Sequence, residues 1–158
     1  MPEALQEPFT LTKGDGNVTS TGGPTVAGTW GTIYSYLVPV GIGHIILPGH
    51  TIAINAESVA ANMPNTNLIR ILVQDASQQD RKAILGPILY ASLQNFTDRD
   101  QMARFNVPEP VKVYERQFII IEWMGLEAAA NPVLQTGCGG TNGETYFELA
   151  MSRVRQPL

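Results

Sequence analysis

Two histidines, His44 and His50, are the only imidazole side chains in the sequence, and they lie six residues apart in an apolar run. Because an imidazole nitrogen is a common zinc ligand, this pair is the first candidate for metal chemistry. Pro48 and Gly49 between them predict a tight turn, and therefore a β-hairpin with one histidine on each strand. In one register the two side chains point to opposite faces, and in the other they lie roughly 13 Å apart at about 3.3 Å per residue. Neither register brings both nitrogens onto one ion, so we expect two separate histidines and no shared metal site.

The other chemically active residue types lack partners in the sequence. Cupin enzymes resemble this chain in their Pro-Gly turns between strands, but their metal motif needs a His-x-His pair, and here Ile52 stands two residues after His50. Glu57 follows without a matching histidine, and Cys138, the only cysteine, lies in a glycine-rich stretch with no base beside it. We therefore expect no catalytic residue, no metal and no cofactor, and a cupin-like metalloenzyme stays only as an alternative.

The low content of charged residues limits the classes of partner. Asp, Glu, Lys and Arg make up 15% of the 158 residues, whereas a typical soluble domain has about 25%. The net charge is −4 with only three lysines, which argues against nucleic acid, because phosphate binding needs clustered Lys and Arg. One cysteine cannot form an intrachain disulfide, and the first residues lack the basic and apolar segments of a signal peptide.

A long neutral stretch raises the question of a membrane or a protein partner. No Asp, Glu, Lys or Arg occurs from Gly16 to Ala56. The stretch has no apolar run near 18 residues, so we expect no transmembrane helix and no membrane partner. Two interpretations remain open: a neutral loop that leads into buried strands, or a segment that lies against another protein, since interface cores are depleted in charge.

Alternating hydrophobicity, rather than helical periodicity, dominates the chain and predicts about eight strands. Gly86-Pro87 predicts that one strand is bent or lies at a sheet edge, and a shift of apolar parity near Glu115-Arg116 predicts a β-bulge in another. In the last strand, Phe147, Leu149 and Met151 are expected to face the core. The predicted strands are Pro8–Thr12, Trp30–Val38, Gly43–Leu47, His50–Asn55, Leu68–Gln74, Lys82–Leu93, Val111–Trp123 and Glu144–Val154.

This pattern predicts an all-β fold, a jelly-roll-like β-sandwich with short connecting helices and an extended N-terminal arm. Short helices are expected at Glu57–Asn62, at Leu126–Ala130 and from a capping box at Thr97 to a point before Pro108. Residues 1–28 are rich in Thr, Gly and Ser, so we expect an arm over 1–28 and one sandwich domain over 29–158.

A β-sandwich with a polar arm, a long neutral stretch and a C-terminal strand ending in "SRVRQPL" resembles the small cement, or decoration, proteins of tailed bacteriophages. The resemblance implies a non-enzymatic structural virion protein on the capsid surface that binds the major capsid protein and stabilises the shell, often as a homotrimer. The main alternative is a carbohydrate-binding or tail-associated β-sandwich module that uses Trp30, Tyr34 and Tyr36. An oligomeric β-domain of another role is also open.

The expected partner interface includes the arm and the start of the neutral stretch. Phe9, Leu11 and Val26 are the apolar residues that could anchor the arm, and Trp30 and Tyr34 could join the same contact. Ordering an arm costs about 1–2 kcal/mol of backbone entropy per residue. We therefore expect the arm to order only on its partner, and its deletion to leave the sandwich folded.

Overall fold

The computed structural model describes residues 5–12, 14–21, 28–46, 51–55, 68–77, 79–89, 103–106, 108–125 and 146–155. These residues form eleven strands and no helix, so no membrane-spanning helix occurs among them. The strands are β1 (Leu5–Thr12), β2 (Val18–Ser20), β3 (Gly31–Leu37), β4 (Ile42–Ile46), β5 (Thr51–Asn55), β6 (Leu68–Gln74), β7 (Arg81–Leu89), β8 (Ala103–Asn106), β9 (Val111–Val113), β10 (Phe118–Met124) and β11 (Tyr146–Arg155).

The strands pair entirely antiparallel in two sheets. In the first sheet, β11 lies between β1 on one side and β4 and β5 on the other, and β9 and β8 pair with β4 and β5. The second sheet has the order β2-β3-β10-β6-β7. If β4 with β5, and β8 with β9, are each counted as one interrupted strand, eight strands remain beside the short β2. The first then pairs with the eighth and the second with the seventh, which is the pairing of a jelly roll. The predicted all-β jelly-roll fold is confirmed.

The predicted hairpin around Pro48-Gly49 is wrong. One edge of β11 pairs with β1, and the other edge pairs with β4 through Ser152–Arg155 and with β5 through Tyr146–Leu149. Both strands are antiparallel to β11, so the chain runs in the same direction before and after residues 47–50, which lie outside the described residues. Because β11 is long enough to satisfy the backbone groups of both strands, β4 and β5 pair with it rather than with each other.

The core fills the space between the two sheets. In β10, Ile119, Ile121 and Trp123 point inward and are almost fully buried, as strand alternation requires. Tyr34 of β3 meets Phe147 of β11 with ring centroids 4.7 Å apart, which joins the two sheets directly. Leu149 and Met151 are buried beside Phe147, so the predicted inward face of the last strand is confirmed.

Two other predicted irregularities have different outcomes. The pairing of β6 with β7 shifts register between Ile69 and Ile71, opposite Gly86-Pro87, and β7 is an edge strand, so the predicted bend at an edge is confirmed. The predicted bulge at Glu115-Arg116 is instead a turn between β9 and β10, which belong to different sheets. The backbone must cross the sandwich there, and Arg116 adopts a positive φ of 64°.

The expected N-terminal arm contributes two strands to the sandwich. β1 pairs with β11 over its whole length, from Leu5 opposite Arg155 to Thr12 opposite Glu148, and β2 pairs with β3. The expectation of an arm is corrected for these two strands, because alternating apolar residues give β1 one face that the core covers. Residues 1–4, 13 and 22–27 lie outside the described residues, and for them the arm stays a prediction.

Only one of the three predicted short helices overlaps the residues that the structure describes. Residues 57–62 and 126–130 lie outside the described residues. The helix predicted from Thr97 does not extend to Pro108, because Ala103–Asn106 form β8 and pair with β5. A capping box supplies a local start signal, but it does not outweigh the pairing that a neighbouring strand offers.

Candidate functional site

Two of the predicted partner-binding residues are buried in the sandwich. Leu11 is fully buried beneath β1, and Tyr34 packs against Phe147 with only 1% of its surface exposed. Neither side chain offers apolar area to a partner while the sandwich is closed. Val26 lies outside the described residues. The interface role of Phe9 and Trp30, which are both partly exposed, stays a prediction.

Phe9 lies at the edge of the core, where it joins three elements. Its ring stacks on the ring of His44, with centroids 4.9 Å apart and an interplanar angle of 22°. The guanidinium carbon of Arg153 lies 4.7 Å from the centre of the Phe9 ring, a cation–π distance. Phe9 therefore ties β1 to both β4 and β11.

An ion-pair cluster fastens β1 to the end of β11. The Glu7 carboxylate accepts hydrogen bonds from Nε of Arg153 at 2.8 Å and from Nε of Arg155 at 3.1 Å. The hydrogen bond from Arg153 is the main cause that lowers the pKa of Glu7 below its ordinary value, and the charges of both arginines act in the same direction. Since these groups are solvent-accessible, we expect the cluster to fix strand register more than to add stability.

A second, more buried cluster lies on the outer face of the other sheet. Glu122 of β10 is 4% exposed, and its carboxylate pairs with Arg70 of β6 at 2.5 Å and with Arg81 of β7 at 3.5 Å. Arg70 also lies over the Trp30 ring, with its guanidinium carbon 4.1 Å from the ring centre. One face of Trp30 is therefore covered by a cation, and the cluster spans three strands.

His44 is the most unusual buried group in the described residues. It is 1% exposed, and neither ring nitrogen has a hydrogen-bond partner. Its ring lies between Phe9 and Tyr36, whose ring centroid is 5.6 Å away. Burial lowers the pKa of His44 to about 4, and the positive charge of Arg153 acts in the same direction, whereas Asp15 opposes it. The imidazole is therefore neutral at physiological pH.

The surroundings of His44 do not fit a metal site. Within the described ranges no three His, Cys, Asp or Glu residues lie together, and the two nearest rings are hydrocarbon or phenol. Burial also raises the pKa of the Tyr36 hydroxyl to about 12, which disfavours the phenolate that a metal would require. His50, Glu57 and Cys138 lie outside the described residues, so their predicted inactivity stays a prediction.

The sequence reasoning missed the Glu122 cluster, although a signal for it was present. Glu122 is a single charge in the apolar segment "FIIIEWM", and Arg70 is a single charge in "LIRILVQ". Two isolated opposite charges in two apolar strands predict pairing across a sheet, because an unpaired buried charge is costly. In the structure the two residues are directly opposite each other.

No protein-family model and no curated protein sequence matches this chain. Solved structures do match it. VP17, a capsid protein of bacteriophage P23-77, superimposes with a TM-score of 0.65 at 8% sequence identity, over 97% of this chain and 97% of that one. A second match is the VP16–VP17 complex of the two major capsid proteins of bacteriophage P23-77, with a TM-score of 0.61, 8% identity, and coverage of 96% of this chain and 99% of that one. The chain thus has the jelly-roll fold of a phage capsid protein.

Proposed function

We propose that this protein is a non-enzymatic structural component of a bacteriophage virion. One observation carries the proposal: the match to VP17 runs end to end in both chains, so the whole domain, and not a shared core with unrelated additions, has the capsid-type topology. A fold alone does not define a function. In support, the charged clusters in the described part of the chain hold strands together, and none has the geometry of a nucleophile with its base.

Two positions in a virion fit this fold. In the first, the chain is a subunit of the shell and contacts another capsid protein, as VP16 and VP17 contact each other in their complex. In the second, it is a cement or decoration protein that binds the major capsid protein from outside, often as a homotrimer. We favour the shell subunit, because β1, which lies within the segment expected to grip a finished shell, is instead built into the sandwich.

The carbohydrate-binding alternative receives less support from the described residues. Sugar-binding sites present exposed aromatic faces, but Tyr34 and Tyr36 are buried in the core. Trp30 is partly exposed, yet Arg70 covers one face of its ring. The three aromatic residues therefore do not form a platform on which a sugar ring could stack.

Mass spectrometry and stepwise disassembly of purified particles test the proposal. Each particle from a culture that carries this gene should contain about tens of copies of the protein or more, because a closed symmetric shell repeats the same subunit many times. A shell subunit should be released only when the particle breaks, whereas a cement protein should be released by mild denaturant from particles that keep their shape in electron micrographs. Absence of the protein from purified particles would refute both positions.

A further inference from the structure

Three ionisable side chains form a row across three neighbouring strands of the first sheet. Glu7 of β1 lies directly opposite Arg153 of β11, and Arg153 lies directly opposite His44 of β4. Leu11 has the same parity as Glu7 along β1 and is fully buried, so the row belongs to the face of the sheet that covers the core. We call Glu7, Arg153 and His44 the charge row.

At neutral pH the charges of the row are balanced. The Glu7 carboxylate accepts a hydrogen bond from Nε of Arg153 at 2.8 Å and lies 2.6 Å from Nη2 of the same side chain. His44, on the other side of Arg153, is neutral. Phe9 connects the two sides, because its ring stacks on His44 and lies under the guanidinium of Arg153. The row therefore holds β1 by one ion pair and by two ring contacts.

The elements around His44 offer little to stabilise a positive charge on its ring. From β3, Tyr36 presents a hydroxyl whose pKa is raised by burial to about 12, so it stays neutral. From β9, the residue opposite His44 is the apolar Val113. Asp15, in the turn after β1, favours the protonated imidazole, but its effect is smaller than those of burial and of Arg153.

Acid removes the balance, because both neighbours of Arg153 then gain a proton. A neutral Glu7 no longer pairs with Arg153, and a protonated His44 adds a second positive charge beside it. Burial lowers the pKa of His44 to about 4, and the hydrogen bond from Arg153 lowers the pKa of Glu7. A state in which Phe9 has left His44 lets water reach the imidazole and binds these protons more readily, so a falling pH favours that state.

The two halves of β1 are held in different ways. Beyond the backbone pairing, residues 5–9 are held by the contacts of their side chains with Arg153 and His44. Residues 10–12 contain Leu11, which is fully buried in the core. β11 keeps its pairing with β4 and β5 along its other edge whatever β1 does. The first half of β1 can therefore separate without opening the core.

We propose that the charge row is a pH-sensitive latch, which holds residues 5–9 against β11 at neutral pH and releases them in weak acid while residues 10–12 stay in the sandwich. Release leaves the backbone N–H and C=O groups along residues 151–155 of β11 without strand partners on that edge. Local opening of such a segment costs less free energy than unfolding of the whole domain, so release precedes acid unfolding. The proposal does not depend on the virion role.

Hydrogen–deuterium exchange of the full chain, followed by mass spectrometry at about pH 7, 5.5 and 4.5, tests the proposal. After correction for intrinsic exchange rates, we expect the protection of residues 5–9 to fall at least tenfold between pH 7 and 4.5. The most that His44 alone allows at pH 4.5 is about 80-fold, if its pKa returns fully from about 4 to 6.5. Exchange of residues 5–9 should not respond to urea up to about 1 M, because a local opening exposes little surface. Residues 118–124 in the centre of the other sheet should stay more protected and should respond to urea.

Three variants separate the parts of the latch. In His44→Phe, the protection of residues 5–9 should keep its neutral value down to about pH 5, because the phenylalanine ring binds no proton. His50→Phe removes the only other histidine and is the matched control, which should respond to pH like the wild type. Glu7→Gln should lower the protection of residues 5–9 already at pH 7 and should keep the fall that depends on His44.

Three outcomes would overturn the proposal. The first is wild-type protection of residues 5–9 that stays constant from pH 7 to 4.5. The second is equal protection and equal urea response of residues 5–9 and 118–124 at every pH, which would mean that acid acts only by unfolding the whole domain. The third is a loss of protection in His44→Phe as large as that in the wild type.

Discussion

Acidification should destabilise this protein through His44, and the His44→Phe variant should remove that effect. His44 is buried between the sheets, and its two ring nitrogens lack hydrogen-bond partners. Protonation would place a second positive charge close to Arg153, against the rings of Phe9 and Tyr36. The folded state therefore resists protonation, and the pKa of His44 falls from 6.5 to about 4.

The sign of the effect follows from which state binds the proton first. In the unfolded chain His44 is protonated as the pH falls through about 6.5, whereas in the folded protein it stays neutral down to about 4. Between these values the unfolded state binds more protons, so the free energy of unfolding falls as the pH falls. At about 1.36 kcal/mol per pKa unit, the interval corresponds to about 3 kcal/mol. We expect about 2 kcal/mol, because the neighbouring Arg153 reaches solvent and its charge is partly screened.

Urea unfolding at several pH values between 7.5 and 4, for the wild type and His44→Phe, measures the effect. The phenylalanine ring keeps the stacking geometry but does not titrate, and it removes two unpaired nitrogens, which should add about 1–3 kcal/mol at pH 7.5. Glu7 and the other titratable groups, including His50, are the same in both proteins. The difference between the two stability curves therefore isolates His44. Parallel curves between pH 6.5 and 4 would refute the reasoning.

Two further predictions concern β1 and the buried ion pair. Leu11→Ala should lower the free energy of unfolding by about 2–5 kcal/mol. Deletion of residues 2–12 should abolish cooperative thermal unfolding, because β11 loses its partner along one whole edge. An unchanged melting temperature in the deletion variant would show that β1 is dispensable. Glu122→Gln should lower the free energy of unfolding by about 3 kcal/mol, because Arg70 is then left without its buried counter-charge. Glu7→Gln at the solvent-exposed cluster should have a much smaller effect, because water screens its ion pairs; equal losses in a denaturant titration would show that burial does not distinguish the two clusters.

The sequence predicted which segments are strands much better than which strands pair. Alternation identified the segments that became β6 and β11, and the inward face of β11, because side-chain parity is a local property of extended backbone. Pairing depends on residues far apart in the chain. Pro48-Gly49 is a good local turn signal, yet β4 and β5 both pair with a strand about a hundred residues later, in keeping with the long-range pairing of a jelly roll.

The boundary of the N-terminal arm shows a second limit. Residues 13–28 contain few core-forming side chains. Because of this composition, the predicted arm also included the preceding segment, which the structure shows to be strand β1. Phe9 and Leu11 already alternate with Pro8 and Thr10, which is the pattern of a half-buried strand. What the sequence could not show is that the last strand, β11, would have a free edge for this segment along its whole length.

The chemistry of His44 depends on such distant residues. Spacing from His50 was the only local information about it, and that spacing served to reject a shared metal site. The residues that surround it are Phe9 from β1, Tyr36 from β3 and Arg153 from β11, and only Tyr36 is near it in the sequence. Two aromatic rings and a cation stabilise a neutral imidazole and disfavour both a proton and a metal ion. His44 is therefore better understood as a polar residue within the core, whose ionisation opposes folding, than as one ligand of a two-histidine metal site.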